Sequence, residues 1–179
     1  MSEDKKRKPK FKREKSEYEQ QIVDIARITR VMAGGKRMRF RVCMVIGDKK
    51  GKVGIGLAKG RDVQAAVQKA VKKAEKNIMR VNLKDNTIPH EIRVKEGAAK
   101  ILLKPAPEGT GVISGGAVRT VLELAGIKNV VSKILGTNNK VNNVKATITA
   151  LKRLRPVEKK EAKKEIKSEV TEEKTEETK

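Results

Sequence analysis

Aromatic residues are nearly missing from this chain of 179 residues: there is no Trp, one Tyr (Tyr18) and two Phe (Phe11 and Phe40). A protein that reads single-stranded RNA by stacking bases on rings needs several such platforms. Base stacking on rings is therefore excluded as a main binding mode. Cysteine is equally scarce. Cys43 is alone, which rules out an internal disulfide and fits a reducing compartment. His90 is the sole histidine, and one Cys with one His cannot build a structural zinc site, so no metal or cofactor is expected. Cys43 falls in an apolar strand pattern and reads as packing. Nothing joins it to His90 as a nucleophile and base, and the acids form no paired-carboxylate site. No apolar run approaches the ~20 residues that cross a bilayer. The N-terminus is charged and has no apolar core segment, so no secretory signal is expected. The expectation is a soluble, cytoplasmic protein with no small-molecule substrate.

Acidic residues are the other shortage. Forty-four Lys and Arg stand against 22 Asp and Glu, a formal charge of +22. The excess is unevenly placed. Residues 1–17 carry net +4, residues 156–179 carry net −1, and the 138 residues between them carry net +19. The folded part is thus cationic in its own right. Such a body repels itself, and a polyanion relieves the repulsion.

The hydrophobic pattern predicts two small units. Residues 1–17 form a basic extension without hydrophobic period, and residues 156–179 form a Lys/Glu-rich tail with too little apolar surface to fold alone. Between them, residues 18–84 and 88–155 read as two domains, with 84–87 as the linker. Ile22, Val23, Ile25, Ile28 and Val31 suggest a strand, although their spacing also allows a helix. Met38, Phe40, Val42, Met44 and Ile46 alternate with Arg37, Arg39 and Arg41, which predicts a strand with one core face and one arginine face. Gly47–Gly51 reads as a hairpin loop. In the next strand Val53, Ile55 and Leu57 share a face, and Gly54, Gly56 and Ala58 leave the other open to close approach by RNA or protein. Asp62 then starts a helix whose stripe is Val63, Val67, Ala70, Val71, Ala74 and Ile78.

In the second unit, Ile92–Val94 and Ala99–Lys104 read as strands, a helix starts near Ser114 and stops at Gly126, and Val130 and Val131 suggest a short strand. Asn142 or Asn143 is the expected cap of a last helix burying Val144, Ile148 and Leu151.

Basic side chains gather in the first unit. Arg30, Gly34, Gly35, Lys36, Arg37, Arg39 and Arg41 surround a glycine turn. Lys49, Lys50 and Lys52 lie at a hairpin, and Lys59, Arg61, Lys69, Lys72, Lys73 and Lys76 lie on and before a helix. Their convergence predicts a phosphate-binding surface. The glycines of 109–116 precede a helix and offer backbone N–H groups, but no Gly-Lys-Ser/Thr follows and the dinucleotide spacing fails. The loop reads as a tight turn that permits close contact with another macromolecule.

Several motifs together carry a resemblance. Arg30-Val31-Met32-Ala33-Gly34-Gly35-Lys36, Val45-Ile46-Gly47-Asp48 and Gly51–Gly56 are similar to the family of bacterial small-subunit ribosomal protein five. So are Glu108–Ile113, Gly115–Arg119, Leu122–Gly126 and Asn142–Thr147. The resemblance implies an α+β protein with two parts. The first is like a double-stranded-RNA-binding domain, three strands plus a helix. The second is a two-layer α/β domain with a left-handed crossover. It implies a structural constituent of the 30S subunit, not an enzyme. It also implies contacts with 16S ribosomal RNA, with small-subunit proteins four and eight, and with messenger RNA at its entrance channel. The implied interface with protein four, tied to decoding accuracy, is Glu108, Gly109, Thr110, Gly111 and Arg119. Two alternatives stand beside it: a free-standing double-stranded-RNA-binding regulator, and a small-molecule phosphotransferase using residues 109–116.

Overall fold

Strand β1 (Glu19–Met32) turns into β2 (Gly35–Gly47) through the two-residue loop Ala33-Gly34. Gly34 takes the loop's left-handed position at φ 83°, a conformation without penalty only for glycine. The structure is a computed structural model that describes residues 18–84 and 86–155. The expected basic arm, Asp85 of the linker and the charged tail lie outside the described residues.

Strands β3 (Lys52–Gly60) and β4 (Met79–Arg80) complete an antiparallel sheet of order β1-β2-β3-β4. The expected three strands are thus four, the last a pair of residues that follows helix α1 (Val63–Lys76) and pairs with Lys52 and Val53. Helix α1 covers one face. Its buried row is Ala66, Ala70 and Ala74, while Val63, Val67 and Val71 are half-buried flanks. The expected stripe therefore contains Ala70 and Ala74 of this row but misses Ala66, and its Val67, Val71 and Ile78 pack at the margins; β3 supplies the reason. A Cβ on Gly56 would overlap the Ala70 carbonyl, one on Gly54 would come 2.6 Å from the Ala74 carbonyl, and one on Gly60 would come 2.7 Å from the Ala66 nitrogen. Helix and sheet meet backbone to backbone, and only alanine fits under glycine. Protein, not RNA, fills the open face of β3. Asp62 sits at the N-cap position of α1 without a side-chain capping bond.

Val42, Cys43, Met44, Val45 and Ile46 are all buried, although alternation predicted one buried face. Val42, Met44 and Ile46 pack under α1. Val45 belongs to a second cluster that also holds Val53, Val121, Leu124 and Leu151. The first sheet is therefore covered on its other face by the second unit, over part of its length.

That unit comprises β5 (Ile92–Glu96), β6 (Ala99–Pro105), β7 (Val112–Ile113), α2 (Gly116–Ala125), β8 (Val130–Ile134) and α3 (Lys140–Lys152). Its sheet runs β5-β6-β8-β7, antiparallel except for β7 and β8, which are parallel and joined through α2. Helix α2 starts at Gly116 with Gly115 as N-cap, two residues later than expected, and stops at Gly126 in the left-handed conformation (φ 86°). The cap of α3 is Asn139, whose side chain accepts from the Val141 N–H at 3.1 Å. This corrects the expected Asn142 or Asn143. Asn143 lies inside the helix, buried, and its amide donates to the Thr137 carbonyl at 2.9 Å. The segment after β4 folds back on itself at Lys84 and Thr87, and Val81 and Ile88 enter the shared core.

Candidate nucleic-acid interface

Register decides which basic residues meet. The two-residue loop pairs Arg30 with Arg37, Ile28 with Arg39 and Ala26 with Arg41, and β3 adds Lys59 opposite Arg41. Directly paired residues share a face. Arg30, Arg37, Arg39, Arg41 and Lys59 therefore stand on the face away from α1, where they line a groove of about 430 Å³ with Ile28, Thr29 and Met32. Beyond Arg27 and Phe40, β3 no longer pairs with β2, so this part is a two-stranded ribbon ending at the Gly34-Gly35 turn.

Two rungs of this face oppose like charges: Arg30 with Arg37, and Arg41 with Lys59. Such pairs destabilise a sheet unless an anion lies between them. Acidic relief is slight. Asp24 accepts from Arg41 at 3.5 Å and also meets Lys140 at 3.6 Å. Arg30, Arg37, Arg39 and Lys59 have no carboxylate within ion-pair distance among the described residues. The Nε of Arg41 is buried without a hydrogen-bond partner among them. A buried donor with nothing to bind is costly and suits an incoming oxyanion. Arg61 and Lys69 continue the charge round the sheet edge, where they share a smaller cavity of about 250 Å³ with Arg39 and Lys59.

The other candidates lie elsewhere. Lys72, Lys73 and Lys76 project from α1, which covers the opposite face of the sheet. Lys49, Lys50 and Lys52 occupy the β2–β3 hairpin, ten residues from Arg39 along the chain, or about 33 Å in an extended strand. That hairpin is docked on the second unit. The Lys49 N–H donates to the Leu124 carbonyl and the Gly51 N–H to the Ala125 carbonyl, each at 3.0 Å. The Lys49 ammonium pairs with Glu19 at 2.7 Å. Inside the turn the Asp48 carboxylate accepts from the Lys50 and Lys52 N–H groups at 2.7 and 2.8 Å. Partial burial pushes its pKa up, but those N–H groups outweigh burial and hold it below the ordinary 3.8. The expected convergence of strand, helix and hairpin charges on one surface is therefore corrected: the face gathers the strand arginines, Lys59, Arg61 and Lys69, and not the rest. Arg27, which no alternation pattern singles out, also lies on the ribbon, its guanidinium against the Met38 sulfur on the α1 side. Counting rungs outward from the Ala33-Gly34 turn would have found it.

In the second unit, Glu108 to Gly111 form the turn before β7, with Gly109 and Gly111 at φ 88° and 73°. The Gly111 N–H donates to the buried Asn129 side chain at 3.1 Å, and Asn86 donates to Glu108 at 3.4 Å. Arg119 is exposed in the first turn of α2. Gly109 and Gly111 have open space where a Cβ would stand. The turn thus presents bare backbone outward. Among the described residues no group of three His, Cys, Asp or Glu side chains is placed to hold a metal, and no helix is long and apolar enough to cross a membrane. Cys43 is buried, and burial first, then the nearby Asp24 charge, pushes its thiol pKa up to about 11.

Comparison with known proteins covers most of the chain. Residues 18–82 match the family model for the N-terminal domain of ribosomal protein S5, and residues 94–165 match the model for its C-terminal domain. Small ribosomal subunit protein uS5 of Campylobacter jejuni subsp. jejuni serotype O:23/36 (strain 81-176) is 51% identical over 146 residues, which span 82% of this chain and 98% of that protein. The protein of the same name from Campylobacter jejuni strain RM1221 gives the same figures.

Proposed function

This chain belongs to the ribosomal protein S5 family, and we propose that it binds ribosomal RNA through the basic face of its first sheet. Membership makes it a structural protein of the small ribosomal subunit, a cytoplasmic particle in bacteria, and not an enzyme. The observation that carries the binding proposal is the pair of like-charge rungs, Arg30 with Arg37 and Arg41 with Lys59, on one open groove. Phosphate oxygens between those rungs turn repulsion into charge-assisted hydrogen bonds. Arg39, Arg61 and Lys69 extend the footprint, and Gly34, Gly35 and Lys36 form its tip. Lys49, Lys50, Lys52, Lys72, Lys73 and Lys76 supply charge to separate flanks, which suits a protein surrounded by 16S ribosomal RNA on several sides. The domains act as units 18–84 and 88–155 in this reading, with the basic face on the first.

The turn Glu108, Gly109, Thr110 and Gly111, with Arg119, is the proposed interface with small-subunit protein four. Its outward backbone and exposed guanidinium support that role. Contacts with protein eight and with messenger RNA at its entrance channel belong to the same proposal and rest on family membership.

Co-sedimentation tests the central part. The wild-type chain is expected to travel with small subunits at moderate salt, and a chain with Arg30, Arg37 and Arg39 changed to Gln is expected to dissociate at lower salt. Equal retention of both would remove the sheet face from the account. For the second surface, Arg119→Ala is expected to change miscoding while RNA affinity stays within about twofold, a change of under ~0.5 kcal/mol. Unaltered accuracy would remove it.

A further inference from the structure

We infer that the basic sheet face holds one extended phosphodiester strand laid along β2, without regard to base identity, and does not take a duplex. The inference rests on the RNA-binding reading of that face and specifies its ligand.

Arg37, Arg39 and Arg41 are alternate residues of one strand, so they form a single row with steps of about 6.8 Å. Arg30 on β1 and Lys59 on β3 stand beside this row at one strand spacing, about 4.8 Å, so the charges form one narrow band that suits a single row of phosphates. A duplex presents two rows separated by a groove, and reading it takes two separated lines of charge. The second basic line of this unit, Lys72, Lys73 and Lys76 of α1, lies across the sheet from the arginines, and Lys69 alone reaches the edge of their face. Arginines on one face and lysines behind the other cannot straddle one groove.

The floor between the arginines explains the indifference to bases. Ile28 and Met32 line it, with no ring. The two described aromatic side chains are both on the α1 side: Tyr18 packs with the cluster under α1, and Phe40 is opposite Gly60 and Arg27. Among the described residues no stacking platform faces the groove. Guanidinium groups on an apolar floor bind phosphate and sugar, which every sequence supplies.

The experiment titrates the full chain with an oligouridylate of about 12 nucleotides and with an RNA duplex of similar length over a range of salt. Changing Arg30, Arg37 and Arg39 together to Gln is expected to weaken strand binding at least tenfold. The slope of log affinity against log salt should fall by about 2, since each neutralised phosphate of a single strand contributes about 0.7. The corresponding Lys variant should keep the slope, because it keeps the charges. Changing Lys128 and Lys133, exposed in the second unit, to Gln should leave strand affinity within twofold. Oligoadenylate should bind within about threefold of oligouridylate. If the Gln variant instead loses duplex affinity as strongly as strand affinity, with a slope change near 2.7 on the duplex, the single-strand inference fails while the RNA reading survives. If neither ligand is weakened, the RNA reading of this face fails as well. A preference of tenfold or more between the two oligonucleotides would overturn the indifference to bases.

Discussion

The first sheet has two glycine-and-lysine turns, and they have opposite fates. Ala33-Gly34-Gly35-Lys36 ends a ribbon that stands clear of the body. Gly47-Asp48-Lys49-Lys50-Gly51 is pressed onto the C-terminal end of α2. In sequence the two look alike. In the fold one carries charge outward, and the other locks two units together through backbone hydrogen bonds and missing side chains. A Cβ on Gly47 would overlap the Leu124 carbonyl, and one on Gly126 would overlap the Lys49 carbonyl. Gly34 and Gly35 have nothing within 4 Å of theirs. Glycine beside lysine therefore says nothing about function until its neighbours are known.

The sharpest way to break this contrast is to add one methyl group at each turn. Gly47→Ala is expected to destabilise the protein by about 3 kcal/mol, because the obstructing atoms are backbone and cannot swing away. Gly34→Ala should cost about 1–2 kcal/mol, from the left-handed φ alone. Urea unfolding of the two variants measures both, and equal losses would mean that the β2–β3 hairpin is not docked as described.

Charge removal gives the second contrast. Changing Lys36, Arg37 and Arg39 to Ala should weaken RNA binding about tenfold or more and flatten its salt dependence. Changing Lys50 and Lys52 to Ala should alter the slope by less than half as much. A larger effect at the hairpin would shift the interface to the other end of the sheet.

The smallest effect concerns Asp48, whose carboxylate organises the docked turn. Its pKa is lower in the folded state than the ordinary 3.8, so its ionisation stabilises the fold above that pH. The contribution fades as pH falls through the depressed value. Asp48→Asn should cost about 1 kcal/mol at neutral pH and remove this part of the acid sensitivity. Parallel stability–pH curves for the two proteins would contradict the assignment.

Much of the fold is legible in the sequence. The alternation from Met38 to Ile46 and the glycine stop at Gly126 are local signals, and local chemistry settles them. What escapes is set by distant partners. Alanines, not valines, form the buried row of α1 because Gly54, Gly56 and Gly60 bring β3 too close for larger side chains. Both faces of Val42–Ile46 are buried because α2 and α3 lie across the face opposite α1. Asn139, and not Asn142 or Asn143, caps α3 because the helix begins earlier than its apolar residues suggest. Among the candidate site residues, composition picked out the arginines of β2. Which residues of β1 oppose them follows from the length of the Ala33-Gly34 turn, a step that charge counting alone does not take. Linear proximity groups Lys49, Lys50, Lys52, Lys72, Lys73 and Lys76 with them because it hides the two sides of a sheet.

The most direct measurement places a thiol on the groove. Arg39→Cys adds an exposed thiol, while the native Cys43 is 1% exposed and its thiol, pushed up to about 11 by burial, stays silent at neutral pH. Maleimide labelling of position 39 should be fast in the isolated protein and at least tenfold slower in assembled small subunits, because the groove is then filled with RNA. Equal labelling rates in the two states would show the arginine face pointing into water and would contradict the account.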